Sequence, residues 1–341
     1  MKLTWVNLEK KDIIFLENNY SNLALDKKIK AYNLNNKEIN LRYLLNAIIK
    51  YFLNFKKFSL KESYLIEIFE KCKPKIVIGY AYNFLLFKIK KIYPNIKSVM
   101  YMHFAMRKEQ FAEYKSIVKK GEVDYTFLSN PIEKIFLQKF IKSKFLISGS
   151  LKSNEIKNKK RKKKKYDIMI ISEYRDNMLN EKKNIMITSL SKLSQISKKY
   201  KLKLCVALVS NRKEKVQKVS FNNEIEFYQN LGLKFHYSNE SSYKLANKSK
   251  IIFCIHSNLG YELIARKYRV FFFNVKNSIY LKKYPFVTDV LNRKFENLII
   301  MLKNLNERKF EKILSKSKIN FYFDQNNKII KNHIKKIISK K

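Results

Sequence analysis

Short apolar runs alternate along the chain with longer segments whose apolar residues recur every three or four positions. The first pattern marks strands and the second marks helices. Lys2–Leu8 opens as a strand, and the spacing over 38–55 and 60–72 predicts helices. Strands follow at Lys75–Gly79, Lys97–Met102, Asp124–Ser129 and Ser143–Ser150. Asn130 and Pro131 read as the N-cap and first turn of a helix between the last two. The alternation restarts with strands at Tyr166–Ser172, Leu202–Leu208, Leu233–Tyr237, Lys250–His256 and Tyr268–Asn274, the last strand expected. Helices are predicted between them, including Asn180–Lys199, and Gly232 suits the residue after a helix end. From Asp289 onward the pattern is helical.

Strands separated by helices predict an α/β architecture of parallel sheets covered on both faces. The pattern breaks once, at the basic stretch Lys157–Tyr166. The expected organisation is therefore two Rossmann-like domains facing a cleft. The first spans 1–155, a solvated basic linker 156–166, the second domain 167–322, and a C-terminal helix 323–341. A length of 341 residues with 46% hydrophobic composition suits two cores.

Charge changes the picture less than its size suggests. The formal net charge is +45. A polyanionic partner would explain it, and so would an A+T-rich codon bias, since Lys, Asn, Ile, Phe and Tyr are all abundant and the lysines are spread over the whole chain. Neither an RNA-binding pattern of interleaved aromatic and basic residues nor a DNA-recognition helix motif is apparent, so no specific nucleic acid is expected. Cys72, Cys205 and Cys254 are far apart and flanked by apolar residues. They read as buried thiols in a reducing compartment. The N-terminus has no apolar signal region, and no run approaches the ~18 residues that span a bilayer. The expectation is a cytoplasmic protein, with peripheral contact with an anionic inner membrane face left open.

In open parallel sheets ligands bind beyond the carboxyl ends of strands, so chemistry is sought there. Ser257, Asn258, Leu259, Gly260 and Glu262 join the strand Lys250–His256 to a helix. A helix N-terminus presents N–H groups and partial positive charge. Ser257 adds a hydroxyl, Gly260 allows close approach of an anion, and Glu262 could accept from a ribose hydroxyl. The same residues also describe an ordinary capped turn. Ser172 and Arg175 follow the first strand of the second half, where Arg175 could pair with a phosphate. Ser150 and Lys152 follow the last strand of the first half. His103 and Arg107 follow Lys97–Met102, His103 as an acid–base group and Arg107 as an anion holder. Asn83 follows Lys75–Gly79 as a helix cap or an acceptor-side contact. No metal-ligand spacing and no nucleophile-elbow or Walker motif is present.

Pro74–Arg107, Ile147–Asn154, Tyr166–Arg175 and Ser257–Asn274 together resemble, in that order, the motifs of bacterial surface-carbohydrate biosynthesis proteins, of capsule or lipopolysaccharide type. These belong to the GT-B group, with nucleotide-sugar glycosyltransferases and UDP-N-acetylglucosamine 2-epimerases. The resemblance implies the GT-B fold, donor phosphates at Ser257 and Gly260, and ribose at Glu262. It implies a metal-independent glycosyltransferase without a cofactor. A nucleotide-sugar donor would sit on the second domain and a glycan or lipid-linked glycan acceptor on the first. Epimerisation, polyol-phosphate transfer and a non-catalytic basic binder of nucleic acid or anionic membrane are the alternatives. Three departures stand out: Asn258 for the family's Thr, Lys267 for a Gly at the helix exit, and no glycine before Arg107.

Overall fold

A computed structural model of the chain describes residues 2–17, 29–34, 38–53, 59–102, 105–106, 108–157, 164–210, 219–238, 240–255, 257–273, 278–288, 294–317 and 319–339. His103, Arg107 and the basic stretch 158–163 of the expected linker lie outside the described residues. Two compact units result. One comprises Met1–Phe104, Glu109–Leu151 and Asn326–Lys341, the other Ala105–Lys108 and Lys152–Gln325.

The first unit begins with β1 (Lys2–Thr4), β2 (Ile13–Phe15), β3 (Ala31–Asn33) and β4 (Glu38–Asn40). Helices α1 (Leu41–Leu53) and α2 (Leu60–Cys72) follow. The chain then alternates through β5 (Ile76–Tyr80), α3 (Leu85–Ile92), β6 (Lys97–Tyr101), α4 (Lys108–Val118), β7 (Gly121–Leu128), α5 (Pro131–Leu137) and β8 (Ile141–Ile147). The expected opening strand is shorter, Lys2–Thr4, and among the described residues it pairs with β4 alone, in a separate two-stranded parallel sheet. The main sheet has the order β3-β2-β5-β6-β7-β8, with every pairing parallel. Its order reverses between β2 and β5. Ile13, Phe15, Ile76, Ile78, Val99 and Tyr101 alternate onto one buried face, as a parallel sheet covered on both sides requires. Asn130 caps α5 as expected, accepting from the N–H of Ile132, and Glu133 completes a capping box.

The second unit runs through α6 (Leu151–Glu155), β9 (Tyr166–Ile171), α7 (Asn180–Lys199), β10 (Leu204–Ala207), α8 (Phe221–Asn230), β11 (Phe235–Tyr237), α9 (Ser242–Asn247), β12 (Ser249–Cys254), α10 (Asn258–Ala265), β13 (Val270–Phe273) and β14 (Val287–Thr288). Helices α11 (Phe295–Asn304) and α12 (Glu307–Lys316) close it. Its sheet has the order β11-β10-β9-β12-β13-β14, again all parallel. The order reverses between β9 and β12. The strand expected to be last, at Tyr268–Asn274, is followed by β14, a two-residue edge that pattern alone does not mark.

The last helix, α13 (Lys328–Ser339), belongs to the first unit. Ile330 and Ile334 are fully buried against the Ile13–Phe15 and Ile76–Ile78 face. Gly232 takes the left-handed conformation expected after α8, with φ +66°. Glycine is scarce, and lysine takes its place elsewhere. Lys73, Lys119, Lys201 and Lys267, each at a helix exit, have φ between +44° and +62°.

Candidate functional site

Each sheet reverses its strand order once, and chains leaving the carboxyl ends on either side of a reversal diverge and open a crevice. In the second unit the diverging strands are β9 and β12. Ser257 caps α10, and its hydroxyl accepts from the N–H of Leu259 at 3.3 Å. Asn258 opens the helix, so the run Ser257–Gly260 lies at its N-terminus, where N–H groups converge.

Gly260 has a second reason to be glycine. A Cβ at this position would lie 2.6 Å from Cys254 Sγ and 2.8 Å from a ring carbon of Phe272. The helix therefore packs against β12 and β13 closer than any side chain permits. The glycine faces the sheet, and the close approach it allows is that of helix to strand.

Glu262 lies one turn into α10, where its carboxylate accepts from the Tyr243 hydroxyl. Burial holds the Tyr243 phenol well above its ordinary pKa, and the neighbouring carboxylate adds to this, so the hydroxyl remains a donor. The Arg266 guanidinium stacks over Tyr243 at 5.6 Å and over Phe323 at 4.4 Å. It also donates to the carbonyls of Ser153 at 2.8 Å and Ile156 at 3.1 Å. Asn154 Oδ1 accepts from the N–H of Asp324 at 2.9 Å. Glu262, Tyr243 and Arg266 thus form a continuous chain from the α10 N-terminus to the two segments that border the first unit in sequence.

Lys267 follows with φ +62°. Its N–H reaches the Ile264 carbonyl at 2.9 Å, and that of Tyr268 reaches Leu263 at 3.0 Å. This is a Schellman ending built without glycine. The departure at Lys267 leaves the left-handed turn intact.

Beside this, at the exit of β9, Ser172 is buried and donates to the Glu224 carboxylate. Glu224 also accepts from the N–H groups of Val209 and Ser210, each at 2.9 Å. The Glu224 carboxylate thus ties the exits of β9 and β10 together. Arg175 is half-buried, with Nη1 donating to the Tyr174 carbonyl at 2.5 Å. Ser150 is buried next to Gly149, whose φ of +77° makes a tight turn, while Lys152 is exposed on α6.

In the first unit the reversal lies between β2 and β5. There Glu17 accepts from the N–H of Tyr80 at 3.1 Å and from Asn83 Nδ2 at 2.5 Å. The Tyr101 hydroxyl, at the end of β6, is a further partner. Burial pushes the Glu17 carboxyl above its ordinary pKa, and these hydrogen bonds hold the rise back. Asn83 does not cap α3, whose N-cap position is Phe84 without a side-chain bond. Its amide orients Glu17 instead. Among the described residues no three His, Cys, Asp or Glu side chains gather as metal ligands.

Glu17, Tyr243, Glu224 and Arg266 escape a reading of the sequence. Only Glu17 carries a signal, as the first acid after the apolar run Ile13–Leu16.

Residues 103–338 match the model of a protein family described as "putative O-antigen biosynthesis protein". Comparison with curated proteins finds no match. Among solved structures, the chain is similar to MurG of Acinetobacter baumannii at 9% identity, covering 96% of this chain and 99% of that one, with a TM-score of 0.50. The UDP-GlcNAc 2-epimerase of Methanocaldococcus jannaschii, crystallised with UDP-GlcNAc and UDP, is similar at 13% identity, covering 98% and 100%, with a TM-score of 0.56. The glycotransferase of kitacinnamycin is similar at 8% identity, covering 97% and 100%, with a TM-score of 0.53. At these identities the likeness is one of fold, the GT-B fold.

Proposed function

The chain belongs to this O-antigen biosynthesis protein family, and from that membership we propose that it transfers a sugar from a nucleotide-sugar donor to a surface-glycan or lipid-linked glycan acceptor. The observation that carries the reading is the Ser257-capped start of α10 beside the β9 exit, with Glu262 one turn further in. A diphosphate meets the N–H groups and hydroxyl at the helix start, and Glu262 then faces the ribose hydroxyls. Arg175 and Lys152 supply positive charge on the same unit.

Transfer needs the acceptor hydroxyl oxygen to form a bond to the anomeric carbon while the bond from that carbon to the phosphate oxygen breaks. The leaving diphosphate gains charge, which the helix start and the cations stabilise. The hydroxyl proton passes to a base. Glu17 is the described group best suited to accept it, because it stands where the strand order reverses, with a carboxyl whose pKa burial raises. His103 is the second assignment, on sequence position, with Arg107 holding an anionic group of the acceptor.

The test is a thermal-shift series with UDP, GDP, CDP, CMP and ADP, wild type beside Glu262→Ala, followed by product analysis. One nucleotide at a hundredfold excess over its Kd adds about 2.7 kcal/mol, and Glu262→Ala removes most of that gain. Stabilisation by none of them overturns the reading. Glu17→Gln and His103→Ala should each keep the nucleotide shift, and the one that abolishes transfer identifies the base. A second reading, epimerisation of the sugar nucleotide, draws on the fold likeness to a UDP-GlcNAc 2-epimerase. It predicts an altered sugar nucleotide in the absence of any acceptor.

A further inference from the structure

Helix α1 has two apolar faces. One carries Tyr43 and Ala47, which are buried. The other carries Leu45, Ile49, Phe52 and Leu53, which are 51%, 58%, 66% and 77% exposed. Their spacing places these four along one stripe about a quarter-turn wide on the side away from the core. Helix α1 contains no Asp or Glu. In a chain with 73 Lys and Arg, the outward faces of helices fill with lysine, as the repeated lysines of α12 and α13 do. The stripe on α1 departs from that composition in the one direction that costs solubility.

The stripe extends beyond the helix. Arg42, on the same side of α1, donates to the Asn7 side chain. Asn40 Nδ2 donates to the Val6 carbonyl at 2.6 Å, and the N–H of Leu8 to the Tyr43 hydroxyl at 2.8 Å. These bonds tie the segment after β1 beside the start of α1. That segment presents Trp5, the single tryptophan of the chain, 63% exposed.

We propose that this surface, Trp5 with Leu45, Ile49, Phe52 and Leu53, docks the first unit on an anionic lipid bilayer. Apolar side chains enter the acyl boundary, an amphipathic indole suits the headgroup level, and a +45 chain is drawn to anionic lipid. Charge chooses the occupant. A second copy of this chain would bring the same large positive charge to the contact, whereas an anionic leaflet complements it. The inference is independent of which sugar chemistry the protein performs.

The test is sedimentation of the full chain with vesicles of phosphatidylcholine alone and of phosphatidylcholine mixed with phosphatidylglycerol, at low and high salt. Trp5 emission is followed in the same samples. Wild type should pellet with the anionic vesicles, and Trp5 emission should shift to the blue. Ile49→Glu with Phe52→Glu should lower partitioning at least tenfold and abolish the shift. Leu179→Glu, at an exposed leucine of the second unit, should leave both unchanged. Circular dichroism melting checks that the variants fold, which exposed positions allow. Binding that resists the double substitution yet vanishes in salt overturns the docking surface in favour of charge alone. A wild-type dimer by light scattering that the double variant makes monomeric assigns the stripe to a second copy and overturns it too.

Discussion

Gly260 illustrates how one residue serves two levels at once. Its place in the sequence suggests room for an anion, and its place in the fold shows a helix pressed against Cys254 and Phe272. An alanine in a helix ordinarily gains up to ~1 kcal/mol over glycine. Here the added carbon meets Sγ at 2.6 Å, so the sign reverses. Gly260→Ala should cost ~1–3 kcal/mol by chemical denaturation. Adding Cys254→Ala should recover part of that loss, a non-additivity that only direct contact produces. Glu17 is the contrasting residue. Its partner Asn83 is distant in sequence, and no local pattern joins the two, so the pairing of the carboxylate with Asn83 becomes visible only when β2 and β5 are paired.

At the scale of elements, legibility follows the strength of local signals. Helix α7 spans Asn180–Lys199 as its spacing predicts, and α5 starts where Asn130 and Pro131 place it. Strand β2 has no such signal because its identity lies in its neighbours: three residues, Ile13–Phe15, have no period of their own and become a strand by lying between β3 and β5. The helix exits tell a related story. A left-handed residue other than glycine costs ~1–2 kcal/mol, and Lys73, Lys119, Lys201 and Lys267 all accept that cost. Lys119→Gly and Lys201→Gly should each stabilise the protein by ~0.5–1 kcal/mol in urea unfolding. Because they lie in different units, the two gains should add. Lys267→Gly should gain less, since it gives up the 2.9 Å exposed pair with Glu311.

For the whole molecule, the alternation of strands and helices makes two parallel sheets legible, and the reversal in each sheet is what gives the strand-end residues their importance. Hydrophobic periodicity marks α13 as a helix without saying which sheet it covers. That choice rests on Ile330 and Ile334 meeting Ile13, Phe15, Ile76 and Ile78. Ile334→Ala should destabilise the first unit by ~2–5 kcal/mol. Hydrogen exchange should locate the effect, with the amides of β2 and β5 exchanging faster and those of β9 and β12 unchanged.

The order of synthesis gives this last helix a further meaning. A ribosome delivers β2 before the second unit and α13 after it. The apolar face of the first sheet therefore stays uncovered while the entire second unit is made. The chain that emerges early cannot finish folding early, and a product cut short anywhere before Asn326 would carry a bare sheet face. Completion of the first unit thereby waits on the chain that follows the second.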